Sequence, residues 1–213
     1  MGEITLVYGK SGSGKSRSLM NFGEDEIFFV NTIGKRLPFA KKFKYELKTD
    51  NVGVIMDKLA KMPTKVAVID DAGYQMTNAF MRGHGKGDQF KLYNDIADSQ
   101  FTLYQFIRNQ LPDDVFVYIL MHEDANDQGE TRLRTIGKLL NEKVCLEGMV
   151  TVCLRCVTKN GEHLFLTNSD GSDICKSPEG MFPPEIPNDL KFVNEKQKEF
   201  WGIKSEKKAD GAK

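Results

Sequence analysis

No apolar run in this sequence approaches the roughly 20 residues that span a bilayer, so no membrane-spanning segment is expected. Net charge is also missing. Thirty basic and 30 acidic residues balance to +0, which excludes a whole-molecule field drawing nucleic acid; such contact needs a local patch. The opening MGEITLVYGK lacks the pattern of a signal or transit peptide. Gly2 begins a myristoylation signal that Leu6 breaks. The expected location is therefore cytoplasmic. Cysteine is scarce, with four residues confined to the last third of the chain: Cys145, Cys153, Cys156 and Cys175. Cys153 and Cys156 have C-x-x-C spacing, and the four could form a zinc site. They sit in MVTVCLRCVTK, however, which reads as a strand, and a strand sends positions three apart to opposite faces. Reduced structural thiols are the expectation. No internal repeat or dividing linker is visible. The 213 residues suit a single domain over 1–203, with a disordered polar tail, KSEKKADGAK, at 204–213.

What is present is an alternation of strand and helix patterns. EITLVYG (3–9), EIFFVNT (26–32), KVAVIDD (65–71) and DVFVYILMH (114–122) read as strands. GKSRSLMNF (14–22), KTDNVGVIMDKLAKM (48–62) and the run 90–110, ended by Pro112, read as helices. TNAFMRGHGKGDQ (77–89) reads as a glycine-rich loop. Residues 123–144 read as a polar loop that turns helical. Two strands in 148–170 join across Asn160-Gly161, a hairpin signal. The alternation implies an α/β fold, a mostly parallel sheet with helices on both faces and a C-terminal β-hairpin on one edge.

GKSGSGKS (9–16) fits the phosphate-loop pattern G-x-x-x-x-G-K-[ST] and has its context, a strand before and a helix after. Backbone N–H groups of such a loop curl around phosphate oxygens. The nucleotide-binding residues are then Gly9, Ser11, Gly12, Ser13, Gly14, Lys15, Ser16 and Arg17. Lys15 is expected to reach the β- and γ-phosphates, and Ser16 to ligate Mg²⁺. VAVIDD supplies the second acidic element. Asp70, at a strand end, is placed to hold Mg²⁺ through water. Asp71 follows where many P-loop ATPases carry a longer glutamate as base for the attacking water; Glu123 is the other candidate. His122 closes the fourth strand, where a polar residue often senses the γ-phosphate. The expected cofactors are ATP and Mg²⁺.

GKSGSGKS, then VAVIDDAGY, then a loop, helix and strand ending in LMH, together resemble the RecA-like core of phage ATP-binding proteins. That AAA/RecA-like family is linked to single-strand annealing, recombination and replication. SDGSDICKSPEGMFP (169–183) is also similar to the end of such proteins, and the resemblance covers roughly residues 3–187. It implies a RecA-like P-loop NTPase core that hydrolyses ATP, forms a homo-oligomeric ring or filament and binds single-stranded DNA, with a single-strand-binding protein as a further partner. A phage origin would make the location host cytoplasm.

The resemblance further implies two DNA-facing loops, matched here by 77–89 and 123–135. The first offers Arg82, His84 and Lys86. The second offers Arg132 and Arg134 behind Glu123, Asp124, Asp127 and Glu130. Lys176 resembles a finger inserted into a neighbour's site, with Arg155 and Lys159 as weaker candidates. The chain departs from RecA in the strand after the phosphate loop, where IFFVNTIGK carries Asn31 and no carboxylate, and in lacking the extra terminal domains. A full strand-exchange recombinase is not expected. Two other readings remain: an ATP-switched helicase loader or annealing scaffold with little hydrolysis, and a small-molecule kinase, for which TRLRTIGK (131–138) is the one faint lid-like match.

Overall fold

Buried apolar runs set the architecture. Val66–Asp70 is buried at every position, and Phe28–Asn31 likewise, which only a strand covered on both faces allows. The computed structural model describes residues 1–126 and 129–203; the tail at 204–213 and Asp127 lie outside the described residues. Its strands are β1 (Glu3–Gly9), β2 (Phe28–Asn31), β3 (Tyr45–Leu47), β4 (Val66–Asp70), β5 (Phe116–Ala125), β6 (Thr131–Leu133), β7 (Val152–Lys159), β8 (Glu162–Leu166) and β9 (Glu185–Pro187). Its α-helices are α1 (Val52–Leu59), α2 (Gly73–Gly83), α3 (Gln89–Gln110) and α4 (Leu190–Phe200). The sheet order is β3-β2-β4-β5-β1-β7-β8-β9, with β6 paired to the end of β5. Strands β3 to β7 along that order run parallel, and β8 and β9 are antiparallel.

Alternation along each strand divides the core in two. Leu6, Tyr8, Ile69 and Met121 face α1, α2 and α3, through Ile55, Met76, Tyr104 and Ile107. Val7, Phe29, Val68 and Leu120 face the other way, towards Leu19, Leu190 and Val193. So helices cover both faces, as the sequence implied. The hairpin at Asn160-Gly161 forms, with both residues at positive φ (52° and 83°), the geometry of a tight two-residue turn. It is not the edge, because β9 adds beyond β8.

Four expectations need correction. Residues 14–22 form only a four-residue 3-10 turn, Ser16–Leu19. Ser18 Oγ bonds back to the Lys15 carbonyl at 2.5 Å and competes with the helical ladder. Lys41 Nζ takes the carbonyls of Met20 and Phe22, both at 2.6 Å, so the segment is ended from outside. The 77–89 loop is mostly helix: α2 runs through Gly83, because Met76 and Phe80 pack as one helical stripe and Gln75 bonds Gln100 of α3 at 3.1 Å. The glycines after 83 only link α2 to Asp88, which caps α3. The 123–135 loop is a hairpin, since β5 continues to Ala125 and pairs with β6. The helical stretch expected before 144 is a single π turn, Leu140–Val144.

Helix α4 crosses the sheet face opposite α1–α3. Asp189 caps it, accepting from the amides of Lys191 and Phe192. Gln197, fully buried, donates to Thr5 Oγ1 and accepts from the Tyr118 hydroxyl, each at 2.7 Å. That pair of bonds fixes the helix against β1 and β5. No helix among the described residues is long and apolar enough to cross a membrane.

Candidate nucleotide-phosphate site

The site lies at the carboxyl ends of three neighbouring parallel strands, β4, β5 and β1. β1 ends at Gly9, where the chain leaves the sheet into residues 10–15. A side chain at Gly9 would put Cβ 2.4 Å from the Cys156 carbonyl, so the loop seats tightly on β7. Cys156 Sγ donates to Ser13 O at 3.0 Å, and burial pushes its thiol up to about 11. It is a packing thiol and not a reactive one. Gly14 has φ of +103°, and the His163 ring of β8 lies 2.7 Å from where its Cβ would stand. The β7–β8 hairpin thus closes over the loop. The amides of Gly12, Gly14 and Lys15 meet no acceptor among the described residues, and buried Ser13 Oγ has no partner. Unmet donors in a loop are what an anionic ligand would satisfy.

Lys15 is buried and donates to the carbonyls of Gly9 (2.7 Å) and Lys10 (2.8 Å). Desolvation lowers its pKa, which weakens its hold on its proton and raises the gain from an incoming anion. Ser16 Oγ donates to both oxygens of Asp70, at 2.8 and 3.0 Å. Asp70 is 2% exposed; burial, and then the neighbouring Asp71 charge, push its pKa up to about 6.

Asp71 has an unusual conformation. Strict alternation from Asp70 would send its side chain to the far face. Instead it adopts φ of +55°, which aspartate tolerates better than most residues, and turns back into the cleft. There it meets Lys35 in an ion pair and His122 Nε2 at 3.3 Å. Burial alone would raise the Asp71 pKa, but His122 and Lys35 outweigh it and hold the carboxyl below its usual range. The other ring nitrogen of His122, Nδ1, lies 3.4 Å from Lys15 Nζ. Lys15 has only donors, so Nδ1 accepts and Nε2 carries the proton that Asp71 receives. A continuous polar chain therefore runs Lys35–Asp71–His122–Lys15.

The register explains how His122 gets there. β5 is inserted between β1 and β4, and His122 pairs with Gly9. Glu123, one residue on, shares the opposite face with Met121. It is held by Arg155 (Nε to Oε2 2.9 Å, Nη2 to Oε1 3.3 Å), which also reaches Asp173. Among the described residues no hydrogen bond or ion pair joins Glu123 to residues 9–16. Replacing it with glutamine is expected to leave nucleotide turnover within about twofold. The same change should lower stability by about 3 kcal/mol, because Arg155 loses a buried partner. Steady-state rates and a thermal melt on one preparation check both halves.

The cleft beside the loop measures about 250 Å³ and is lined by Gly12, Lys15, Ser16, Arg17, Lys35, Arg36, Asp71, His122 and His163 among others. Lys35, Arg36 and His163 were not singled out in the sequence; they arrive on the segment after β2 and on β8. The remaining candidates lie on other elements. Arg82, at the end of α2, bonds Asp50 at 2.6 Å. His84 bonds the Met81 carbonyl and stacks on Phe80, and Lys86 is exposed. Arg132 is exposed on β6, and the Arg134 amide donates to the His122 carbonyl at 2.9 Å. Lys176 pairs through its backbone with Cys153, which lies beside Leu6, three residues back from Gly9. Among the described residues no hydrogen bond or ion pair joins it to residues 9–16 of its own chain. Lys159 pairs with Glu185.

The residues fit a magnesium ion that arrives with a nucleotide. Among the described residues no cluster of three or more His, Cys, Asp or Glu could cage an ion alone. One hydroxyl and one carboxylate, Ser16 and Asp70, are hard oxygen donors 2.8 Å apart. Magnesium at such sites keeps its waters and takes the rest of its shell from phosphate. All four cysteines are free, and no metal site joins them. No family model and no curated relative matches the chain.

Proposed function

We propose that this chain binds and hydrolyses ATP with Mg²⁺, as the RecA-like core of a phage-type recombination or replication protein that assembles on single-stranded DNA. The observation that carries the catalytic part is convergence: Lys15, Ser16, Asp70, Asp71 and His122 meet within one cleft, from three adjacent strand ends.

Each group has a task set by its chemistry. Lys15 is a buried cation held on the carbonyls of Gly9 and Lys10, and would turn to β- and γ-phosphate oxygens. Ser16 and Asp70 would hold Mg²⁺, which when bound supplies charge neutralisation between the β- and γ-phosphates. Asp71, ionised and aimed into the cleft, would orient the attacking water and accept its proton. His122 keeps Asp71 in place and links it to Lys15. Glu123 is left to structure. In an oligomer, Lys176 would act on the neighbour's phosphate and not its own.

The reading with little hydrolysis has one observation in its favour: Lys35 and His122 both occupy Asp71. An ATP-switched scaffold would keep them there. Turnover of Mg–ATP, measured with and without a single-stranded oligonucleotide, tests the proposal. Hydrolysis stimulated by the strand is the expected result. Tight ATP binding with no turnover would favour the scaffold, and phosphoryl transfer to a nucleoside or nucleotide would favour a kinase.

A further inference from the structure

Between β2 and β3 the chain makes a basic excursion that the sequence motifs left unused. Lys35, Arg36, Lys41, Lys42 and Lys44 fall within 35–44. They do not form a solvated fringe. The segment folds over an open cleft of about 890 Å³, whose floor is Phe29, Phe39 and Phe43. Phe29 and Phe43 are buried, with ring centroids 5.4 Å apart, while Phe39 keeps part of its face open. The rim carries Lys35, Arg36, Lys42 and Lys48 against two carboxylates, Glu24 and Glu46. Glu46 is engaged by Asn31 Nδ2 at 3.1 Å and by Lys48 at 3.7 Å. Arg36 and Lys42 are exposed and have no carboxylate partner among the described residues.

The position of this cleft matters as much as its charge. It shares Lys35 and Arg36 with the phosphate cleft, so the two adjoin. They meet at Lys35 and Arg36, and Lys35 pairs with Asp71, which the reading above assigns to the terminal-phosphate end of the site. Two links tie the segment to that site. Lys35 pairs with Asp71, and Lys41 Nζ holds the carbonyls of Met20 and Phe22 just past the phosphate loop.

We propose that the cleft on residues 34–48 is a track for single-stranded nucleic acid, running past the terminal-phosphate end of the nucleotide site. An open groove with unpaired cations and a partly open aromatic face suits a strand, whose affinity comes from backbone charge and base stacking. The alternative surfaces offer less. Arg82 is occupied by Asp50, and His84 lies on Phe80. The two links make the track responsive to the nucleotide, and linkage makes the nucleotide equally responsive to the strand.

This inference rests on the nucleotide-binding reading, and the test separates the two. Anisotropy of a labelled oligo-dT is measured across a salt series, with the full chain saturated by Mg²⁺ and a non-hydrolysable ATP analogue. The wild type is compared with Lys42→Ala/Lys48→Ala, two cations that line this cleft and not the phosphate cleft, and with Arg132→Ala/Arg134→Ala. All these side chains are exposed, and thermal melts confirm folding. The Lys42→Ala/Lys48→Ala protein is expected to lose at least about tenfold in strand affinity. Its log–log salt slope should fall by about 1.4, at about 0.7 per lost single-strand phosphate contact. Its affinity for the ATP analogue should stay within about twofold. Unchanged strand affinity, or loss confined to Arg132→Ala/Arg134→Ala, overturns the placement. A parallel loss of the ATP analogue shows that the cleft serves the nucleotide itself and also overturns it. Displacement of the strand by a mononucleotide as readily as by oligo-dT makes the cleft an acceptor pocket instead. A wild type that hydrolyses ATP but binds no strand overturns this inference and leaves the ATPase standing; one that binds no ATP removes the underlying reading.

Discussion

Asp70→Asn is expected to make the metal-free, nucleotide-free chain more stable at neutral pH while abolishing most of its response to Mg–ATP. The carboxyl is 2% exposed and its pKa is pushed up to about 6 by burial and then by the charge on Asp71. In the unfolded chain an aspartate releases its proton near pH 3.9. Between about pH 4 and 6 the folded state therefore binds more protons than the unfolded one, so stability falls as pH rises through that window. Above pH 6 the full cost applies, about 3 kcal/mol at about 1.4 kcal/mol per unit. Below pH 4 both states are protonated and the cost vanishes. Asparagine carries no charge to bury and still accepts from Ser16. In EDTA at pH 7.5 the variant should melt about 6–12 °C above the wild type, at about 2–4 °C per kcal/mol for a chain of this size. Near pH 4 the two melting points should converge. Adding Mg–ATP should then raise the wild type strongly and the variant little, because Ser16 alone is a poor magnesium anchor. A variant no more stable than wild type in EDTA at pH 7.5 would show that Asp70 carries no uncompensated charge, which removes the main physical reason for placing a cation there.

The strain at Asp70 also shows what the sequence could and could not convey. The strand that runs into GKSGSGKS and the strand VAVID with its terminal acid were legible from their apolar runs. The parallel sheet with helices on both faces was legible from alternating patterns. The partners of Asp71 were not. Strand logic points Asp71 away from the cleft, and only its left-handed backbone brings it back. Lys35 comes from a loop with no motif, and His163 reaches Gly14 through a hairpin whose register no local pattern encodes. Helix α4 was missed because its buried stripe, Leu190, Val193, Asn194 and Gln197, is half polar. The capping Asp189 just before it was the available signal. β3 and β9 are three residues each, too short for a period to register. The glycine-rich 77–89 misled for the opposite reason. Its glycines cluster at the end of α2, and the preceding Met76, Ala79 and Phe80 were enough to carry the helix to Gly83.

The decision between Asp71 and Glu123 gives the second large effect. Asp71→Asn keeps size and shape and removes the charge that could take a proton from water. A positioned general base is worth about 10²–10⁴ in rate, so kcat for ATP is expected to fall at least about 100-fold. ATP affinity should hold or rise, because the loop amides, Lys15 and Ser16 are untouched and asparagine no longer holds Lys35 by its charge. That split between kcat and binding distinguishes a catalytic role from a structural one. Merely loosening the site would weaken binding as well. pH sharpens the distinction. His122 and Lys35 keep Asp71 ionised well into acid, so its protonation sets no limb on the rate between pH 6 and 8. Lys35 and His122 must also yield lone pairs of Asp71 before water can use one. On the proposed reading a γ-phosphate in the cleft would compete with Asp71 for Lys35, so a bound triphosphate would dismantle this ion pair. If Asp71→Asn turns over ATP at the wild-type rate while Glu123→Gln is slow, the base lies on the other face of β5, and Arg155 would have to release Glu123 for that to work.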